Sequence, residues 1–130
     1  MKYSKIISFL FITMLISCST TKKFPVSEVL PAANIEAKIT TNENNNTVLK
    51  VTAKHLANPK RLSPSKNLYV VWIVTEDDLV KNIGRLIQES DGKVSATFNT
   101  PYKIEEIFIT AENDGNVTEP GKTMITSKKL

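Results

Sequence analysis

An all-β fold, a seven-stranded antiparallel β-sandwich, is the expectation that three features of this sequence raise together. Apolar residues recur at every second position in short segments, and turn-forming clusters separate those segments at regular intervals. The third feature is Asn67-Leu-Tyr-Val-Val-Trp-Ile-Val-Thr75, where seven consecutive apolar residues lie between Ser63-Pro-Ser-Lys-Asn67 and Glu76-Asp77-Asp78. Most are β-branched or aromatic, which marks a strand buried in a sheet, and the run is too short to span a membrane. It holds the only tryptophan, Trp72, and is the expected central strand. An Ig-like arrangement fits the strand count, with a small closed barrel as the competing architecture.

The strands follow in order. Asn34 to Thr40 places Ile35, Ala37 and Ile39 on one face and Glu36 and Lys38 on the other, the alternation of a half-buried strand. Thr41-Asn-Glu-Asn-Asn-Asn46 is a polar turn, and Thr47 to Lys54 alternates again with Leu49, Val51 and Ala53 inward, so the two form a hairpin. Ala57 to Lys66 contains Pro59 and Pro64 and reads as a loop, with Leu62 tucked inward. After the Trp72 strand, Leu79 to Ile87 fits helical spacing almost as well as strand. Gly84 decides for strand, because it would weaken a short helix by about 1 kcal/mol. Ser90-Asp-Gly-Lys93 carries a strong Asp-Gly turn signal. Lys93 to Thr100 sets Val94, Ala96 and Phe98 on one face, and Glu106 to Glu112 sets Ile107, Ile109 and Ala111 on one face with Phe108 and Thr110 opposite. Asn113-Asp-Gly-Asn116 and Glu119-Pro-Gly121 turn the chain into a last strand, Lys122 to Ser127.

One domain is the natural reading of 130 residues, long enough to bury a core without disulfides or metals. The formal charge is +4, but Lys2 and Lys5 lie in a segment expected to be removed, which leaves 15 basic side chains against 13 acidic ones. Mixed signs at that level give no electrostatic footprint for nucleic acid.

The N-terminus reads as an address. Met1-Lys-Tyr-Ser-Lys5 is a basic n-region and Ile6 to Ile16 an apolar h-region of signal-peptide length. Leu15-Ile16-Ser17-Cys18 behind it resembles the lipobox of bacterial lipoproteins. That resemblance implies that residues 1–17 are a cleaved signal peptide, that the Cys18 thiol is diacylglycerylated and that its new amine is acylated. Two or three acyl chains, at about 0.8 kcal/mol per buried CH₂, make such an anchor effectively permanent. Residues 18–32 are then the acylated N-terminus and a solvated linker, and residues 33–130 the sandwich. Packing of Phe24, Val26, Val29 and Leu30 along the domain's flank is the other reading of the linker. Ser19 stands where an Asp would signal inner-membrane retention, so the expected place is the outer membrane, facing the periplasm.

Residue types that carry chemistry are sparse. His55, the only histidine, ends a strand beside a Pro-containing loop and reads as a loop residue rather than a general base, and with Cys18 the only cysteine a zinc ligand set is unsupported. Glu76-Asp77-Asp78 lacks the spaced Asp/Asn-Gly pattern of a calcium loop, and no glycine-rich phosphate loop is present. Neither catalysis, nor a metal, nor a cofactor is expected.

A binding surface is the better expectation. Along the Trp72 strand, Leu68, Val70, Trp72 and Val74 face one way and Tyr69, Val71 and Ile73 the other. A two-layer sandwich needs only one apolar face, so the second is covered by the chain itself or is left for a partner. Tyr69, Val71, Trp72, Ile73 and Phe108 are the candidate interaction residues, with another envelope protein or a second copy as partner.

Tyr69-Val-Val-Trp-Ile-Val74, Asn82-Ile-Gly-Arg-Leu86, Ile109-Thr-Ala-Glu112, Glu119-Pro-Gly121 and Arg61-Leu-Ser-Pro64 together resemble a β-sandwich module of bacterial envelope proteins. Similar modules occur as small lipoproteins and, more distantly, as the extracytoplasmic domain of membrane anti-sigma factors. The resemblance spans about residues 49–125 and brings no catalytic or ligand residues. The sequence holds no sigma-binding domain, so sigma-factor binding is not implied. The function expected is that of a lipid-anchored, non-catalytic structural or interaction module. A small-ligand carrier of the periplasm, binding inside the sandwich or at its loop end, is the alternative, and a hydrolase a distant third.

Overall fold

Each alternating segment finds a neighbour that matches its apolar face. The computed structural model describes residues 19–88 and 92–130, and these form eight strands. They are β1 (Ser19–Lys23), β2 (Asn34–Thr41), β3 (Thr47–Lys54), β4 (Leu68–Thr75), β5 (Val80–Leu86), β6 (Val94–Thr100), β7 (Ile104–Glu112) and β8 (Met124–Lys129). Two four-stranded antiparallel sheets result, in the orders β1-β2-β3-β6 and β5-β4-β7-β8. The chain crosses between sheets after β3, β5 and β6, and the sheets do not close into a barrel. The ambiguous segment after the acidic turn is a strand, β5, and a 3₁₀ turn forms at Pro59–Arg61. Ser90 and Asp91 of the Ser90–Lys93 turn lie outside the described residues, but Gly92 takes the left-handed φ of +68° that the Asp-Gly signal called for.

The inner faces are those the alternation marks. Ile35, Ala37, Leu49, Val51, Ala53 and Val94 from one sheet meet Tyr69, Val71, Ile73, Ile107, Ile109 and Ala111 from the other in one buried cluster. Side chains of this size stabilise by about 1.5–3 kcal/mol each when fully buried, which makes this layer the main source of stability. Leu62 is partly buried against the same cluster. The last strand starts two residues later than the alternation suggests, and its buried members are Ile125 and Thr126, with Met124 exposed.

The expected spacer is where structure and sequence part. Ser19–Lys23 pairs along its whole length with β2, from Ser19 opposite Thr40 to Lys23 opposite Glu36, and so adds an eighth strand to the seven expected. Phe24 and Leu30 are buried, while Val26 and Val29 stay exposed. The path between them is pinned by the Phe24 N–H to Ile35 O at 3.0 Å, the Leu30 N–H to Ser27 Oγ at 3.0 Å and the Thr126 hydroxyl to Pro25 O at 3.2 Å. This segment runs from the first sheet to β8 of the second and closes one open side of the sandwich. Polar Ser-Thr-Thr-Lys-Lys shows no apolar period, but it satisfies the free hydrogen-bonding edge of β2, which composition does not advertise.

On the other side β5 and β6 come together. Phe98 of β6 reaches across to β5 and lies over Gly84, whose φ of +144° coincides with a register slip between Val71 and Trp72. A Cβ at Gly84 would stand 2.5 Å from the Phe98 ring. Glycine is required here twice, for its backbone conformation and for the space.

Candidate functional site

Two places on the sandwich hold more than packing: the outer face of the second sheet, where sequence reasoning placed the interaction surface, and a groove at one end.

The surface expected from Tyr69, Val71, Trp72, Ile73 and Phe108 is not free. Tyr69, Val71 and Ile73 point into the space between the sheets. Trp72 and Phe108 lie on the opposite face with Val70, in a second cluster that Leu68, Val74 and Val117 complete. Trp72 is 0% exposed and Phe108 6%. The cover is the chain's own β7–β8 loop, Asn113 to Thr123. Trp72 and Phe108 are directly opposite in the β4–β7 ladder, and their rings stack with centroids 6.0 Å apart and planes 7° from parallel.

A polar chain holds the loop down. The Trp72 indole N–H donates to the Thr110 hydroxyl at 2.8 Å, and that hydroxyl donates to Glu112 Oε2 at 2.9 Å. The Gly121 N–H donates to the same carboxylate, at 2.9 Å to Oε2 and 3.1 Å to Oε1. From the other side, the Asn82 amide donates to Gly115 O and Val117 O, both at 2.9 Å, while its own oxygen accepts the Gly84 N–H at 3.0 Å. A Cβ at Gly121 would collide with Glu112 Oε1, so the loop backbone approaches as closely as a bare glycine permits. Among the described residues no buried side-chain nitrogen or oxygen lacks a partner. Four separate sequence segments therefore meet in one structure: the Trp72 strand, the Asn82–Gly84 stretch, Thr110–Glu112 and Gly121.

The groove at one end is open to solvent. It has a volume of about 840 Å³ and lies where β3 and β5 end and β4 begins. Leu56, Tyr69 and Leu86 form its apolar base and Ile87 an exposed apolar wall, while Lys60, Arg61 and Arg85 supply cationic side chains and no described acid lines it. The wall is fixed by backbone and side-chain bonds: Leu56 N–H to Gly92 O at 3.0 Å, and the Gln88 amide to Leu56 O. Asn58 caps the 3₁₀ turn by accepting the Lys60 N–H at 3.0 Å, which sets Lys60 and Arg61 on the rim. Arg61 and Arg85 stood in the quoted motifs, but nothing in the spacing of residues 61 and 85 says that they share a rim.

Tyr69 bridges core and groove, its hydroxyl donating to Ala57 O at 2.6 Å. Burial pushes that hydroxyl up to about 12 from the ordinary 10.0. The folded pKa exceeds the unfolded one, so the stability is intact below pH 10 and is lost as pH rises toward 12. Denaturant midpoints measured from pH 9 to 12 should fall more steeply for the wild type than for Tyr69→Phe; equal slopes would show that Tyr69 ionisation is not coupled to folding.

The remaining candidates fall apart in space. His55 is exposed at a left-handed φ of +56°, at the end of β3. Glu76, Asp77 and Asp78 make an exposed turn, closed by Asp78 N–H to Thr75 O at 3.0 Å and by Leu79 N–H to Thr75 Oγ1 at 3.2 Å. No group of three or more metal-ligating side chains comes together among the described residues. Cys18 lies outside the described residues.

Comparison with family models, with curated proteins and with solved structures finds no match to this chain.

Proposed function

We propose that this chain is a lipid-anchored protein of the bacterial envelope, probed by its partners at the basic groove of a non-catalytic, Ig-like sandwich. Leu15-Ile16-Ser17-Cys18 supports the anchor, and the sheet orders β2-β3-β6 and β5-β4-β7-β8 with their three crossings support the Ig-like type. One observation carries the functional reading: the groove lies at the end opposite Ser19. Ser19 pairs with Thr40 near the β2–β3 turn, whereas the groove lies beyond Lys54, which pairs with Asn34. Eight residues of strand at roughly 3.4 Å each separate the two ends by about 25 Å, so an anchor at Cys18 leaves the groove away from its attachment point.

The groove's form favours a protein segment over an enclosed small ligand. Tyr69, Leu49, Ile73 and Ile107 fill the space between the sheets, which removes the interior site of a carrier and leaves only its loop end. An open channel with an apolar floor and three rim cations suits an extended segment that carries acidic and apolar side chains together.

Crosslinking in intact envelopes tests this. Arg61→Glu with Arg85→Glu should cut the yield of the crosslinked partner at least about ten-fold, with the protein's amount and membrane fraction unchanged. Equal yield from the variant would move the contact elsewhere. In the same fractionation, Cys18→Ser should release the protein from membranes or leave it unprocessed, and a processed, lipid-labelled Cys18→Ser protein would end the anchor reading.

A further inference from the structure

We infer that the outer face of the β1-β2-β3-β6 sheet is a docking surface for anionic lipid headgroups, so that the anchored domain lies on its side on the bilayer. The inference rests on acylation of Cys18.

The register decides what that face presents. Inward-facing Ala37, Leu49 and Val51 alternate with outward-facing residues, and across the four strands these fall into rows. One row reads Thr21, Lys38, Lys50, Thr97, and the next reads Lys23, Glu36, Thr52, Ser95. Lys54, opposite Asn34, adds another cation at the far end. Lys23, Lys38, Lys50 and Lys54 are all exposed, and Glu36, opposite Lys23, is the one acid among them.

Lys38 directly opposite Lys50 is the telling feature. Like charges in that position weaken a strand pair, and their row neighbours Thr21 and Thr97 offer no compensating acid. Lysines often blunt exposed sheet edges, but β2 and β3 are the two interior strands of this sheet, so edge protection does not explain them. An external anionic surface compensates what the sheet does not. A flat, broad face of lysine and short hydroxyl side chains matches a plane of phosphates better than it matches a groove-filling partner.

Geometry brings the face to the membrane. Cys18 is bonded to Ser19, the first residue of β1, and β1 is an edge strand of this same sheet, so the acyl chains leave from one corner of the lysine face. No spacer intervenes. Standing upright would instead press onto the bilayer the Ser19 end, whose turns carry exposed Glu43, Glu76, Asp77 and Asp78 against Lys103, with Lys81 over Tyr102 and with Glu105 and Lys129 at the strand ends beside them. An anionic leaflet repels those turns and attracts the lysine face, with an effect confined to about one Debye length, roughly 8 Å at physiological salt.

The test is lysine footprinting on the full-length, acylated protein in vesicles of phosphatidylcholine, with or without phosphatidylglycerol. A membrane-impermeant acylating reagent labels the lysines, and mass spectrometry reads each one together with the lipid on Cys18. Labelling of Lys38 and Lys50 should drop roughly five-fold on anionic vesicles relative to Lys103, and the protection should disappear in high salt. Lys38→Glu with Lys50→Glu should abolish the protection of Lys54 while the chain stays anchored. Lipidated Cys18 with uniform labelling would overturn the docking and leave the anchor standing. Unmodified Cys18 in protein isolated from its own envelope would overturn the anchor, and the docking with it. Protection in intact envelopes but not on anionic vesicles would also overturn the lipid assignment, in favour of an anionic polymer.

Discussion

Gly84→Ala is expected to lower the unfolding free energy by about 3 kcal/mol. Two causes act together. At φ +144° an L side chain is strained whatever the space around it, and the added Cβ would meet the Phe98 ring at 2.5 Å. Phe98 sits on β6 of one sheet and Gly84 on β5 of the other, so a retreat of the ring loosens the packing where the two sheets meet. Denaturant unfolding of Gly84→Ala, Phe98→Ala and the double variant separates the causes. The double variant should be clearly more stable than the sum of the single losses predicts, because truncating the ring removes the collision. Strict additivity would assign the whole effect to backbone strain.

Glu112→Ala is the second large effect, about 3 kcal/mol, and its signature is spectroscopic as well as thermodynamic. The carboxylate is the junction between the sheet and its cover, accepting from the Thr110 hydroxyl and the Gly121 N–H. Without it both donors lose their partner, and the middle of the loop keeps only the Asn82 bonds to Gly115 O and Val117 O, its ends staying tied at Asn113 and Thr123. Trp72, now fully buried beneath that loop, should shift its fluorescence to longer wavelength and become open to quenching by acrylamide before global unfolding begins. Asn82→Ala should give the same optical change with a smaller loss, since it releases the other end of the same loop. A Glu112→Ala protein that is destabilised with unchanged Trp72 emission would mean that the carboxylate supports the core and not the cover.

These two sites show what was legible in the sequence. Leu49, Val51, Ala53, Ile107, Ile109 and Ala111 were readable as one face each, because a strand's side chains alternate and a hydrophobic face must be buried. Gly84 was readable as a break in a strand. Its partner was not, since Phe98 is a neighbour only in space. The cover of Trp72 was unreadable for a related reason: Thr110, Glu112, Asn82 and Gly121 carry no hydrophobic signal, and only their hydrogen bonds show that they form one latch. The groove is similar, being built from the ends of three segments that meet through the packing of two sheets. The lysine face stands between these cases. Each lysine was marked as outward by the alternation, but only strand register put Lys38 opposite Lys50.

The sequence by itself determined that the chain is all-β, which residues share a face, and where the turns fall. It left one question open at its centre, because both faces of the Trp72 strand are apolar. The tertiary structure decided it, with Tyr69, Val71 and Ile73 between the sheets and Trp72 beneath the loop. Periodicity states which side chains point the same way. Which way is inward depends on what the rest of the chain lays against each face, and here it lays a sheet on one and a latched loop on the other.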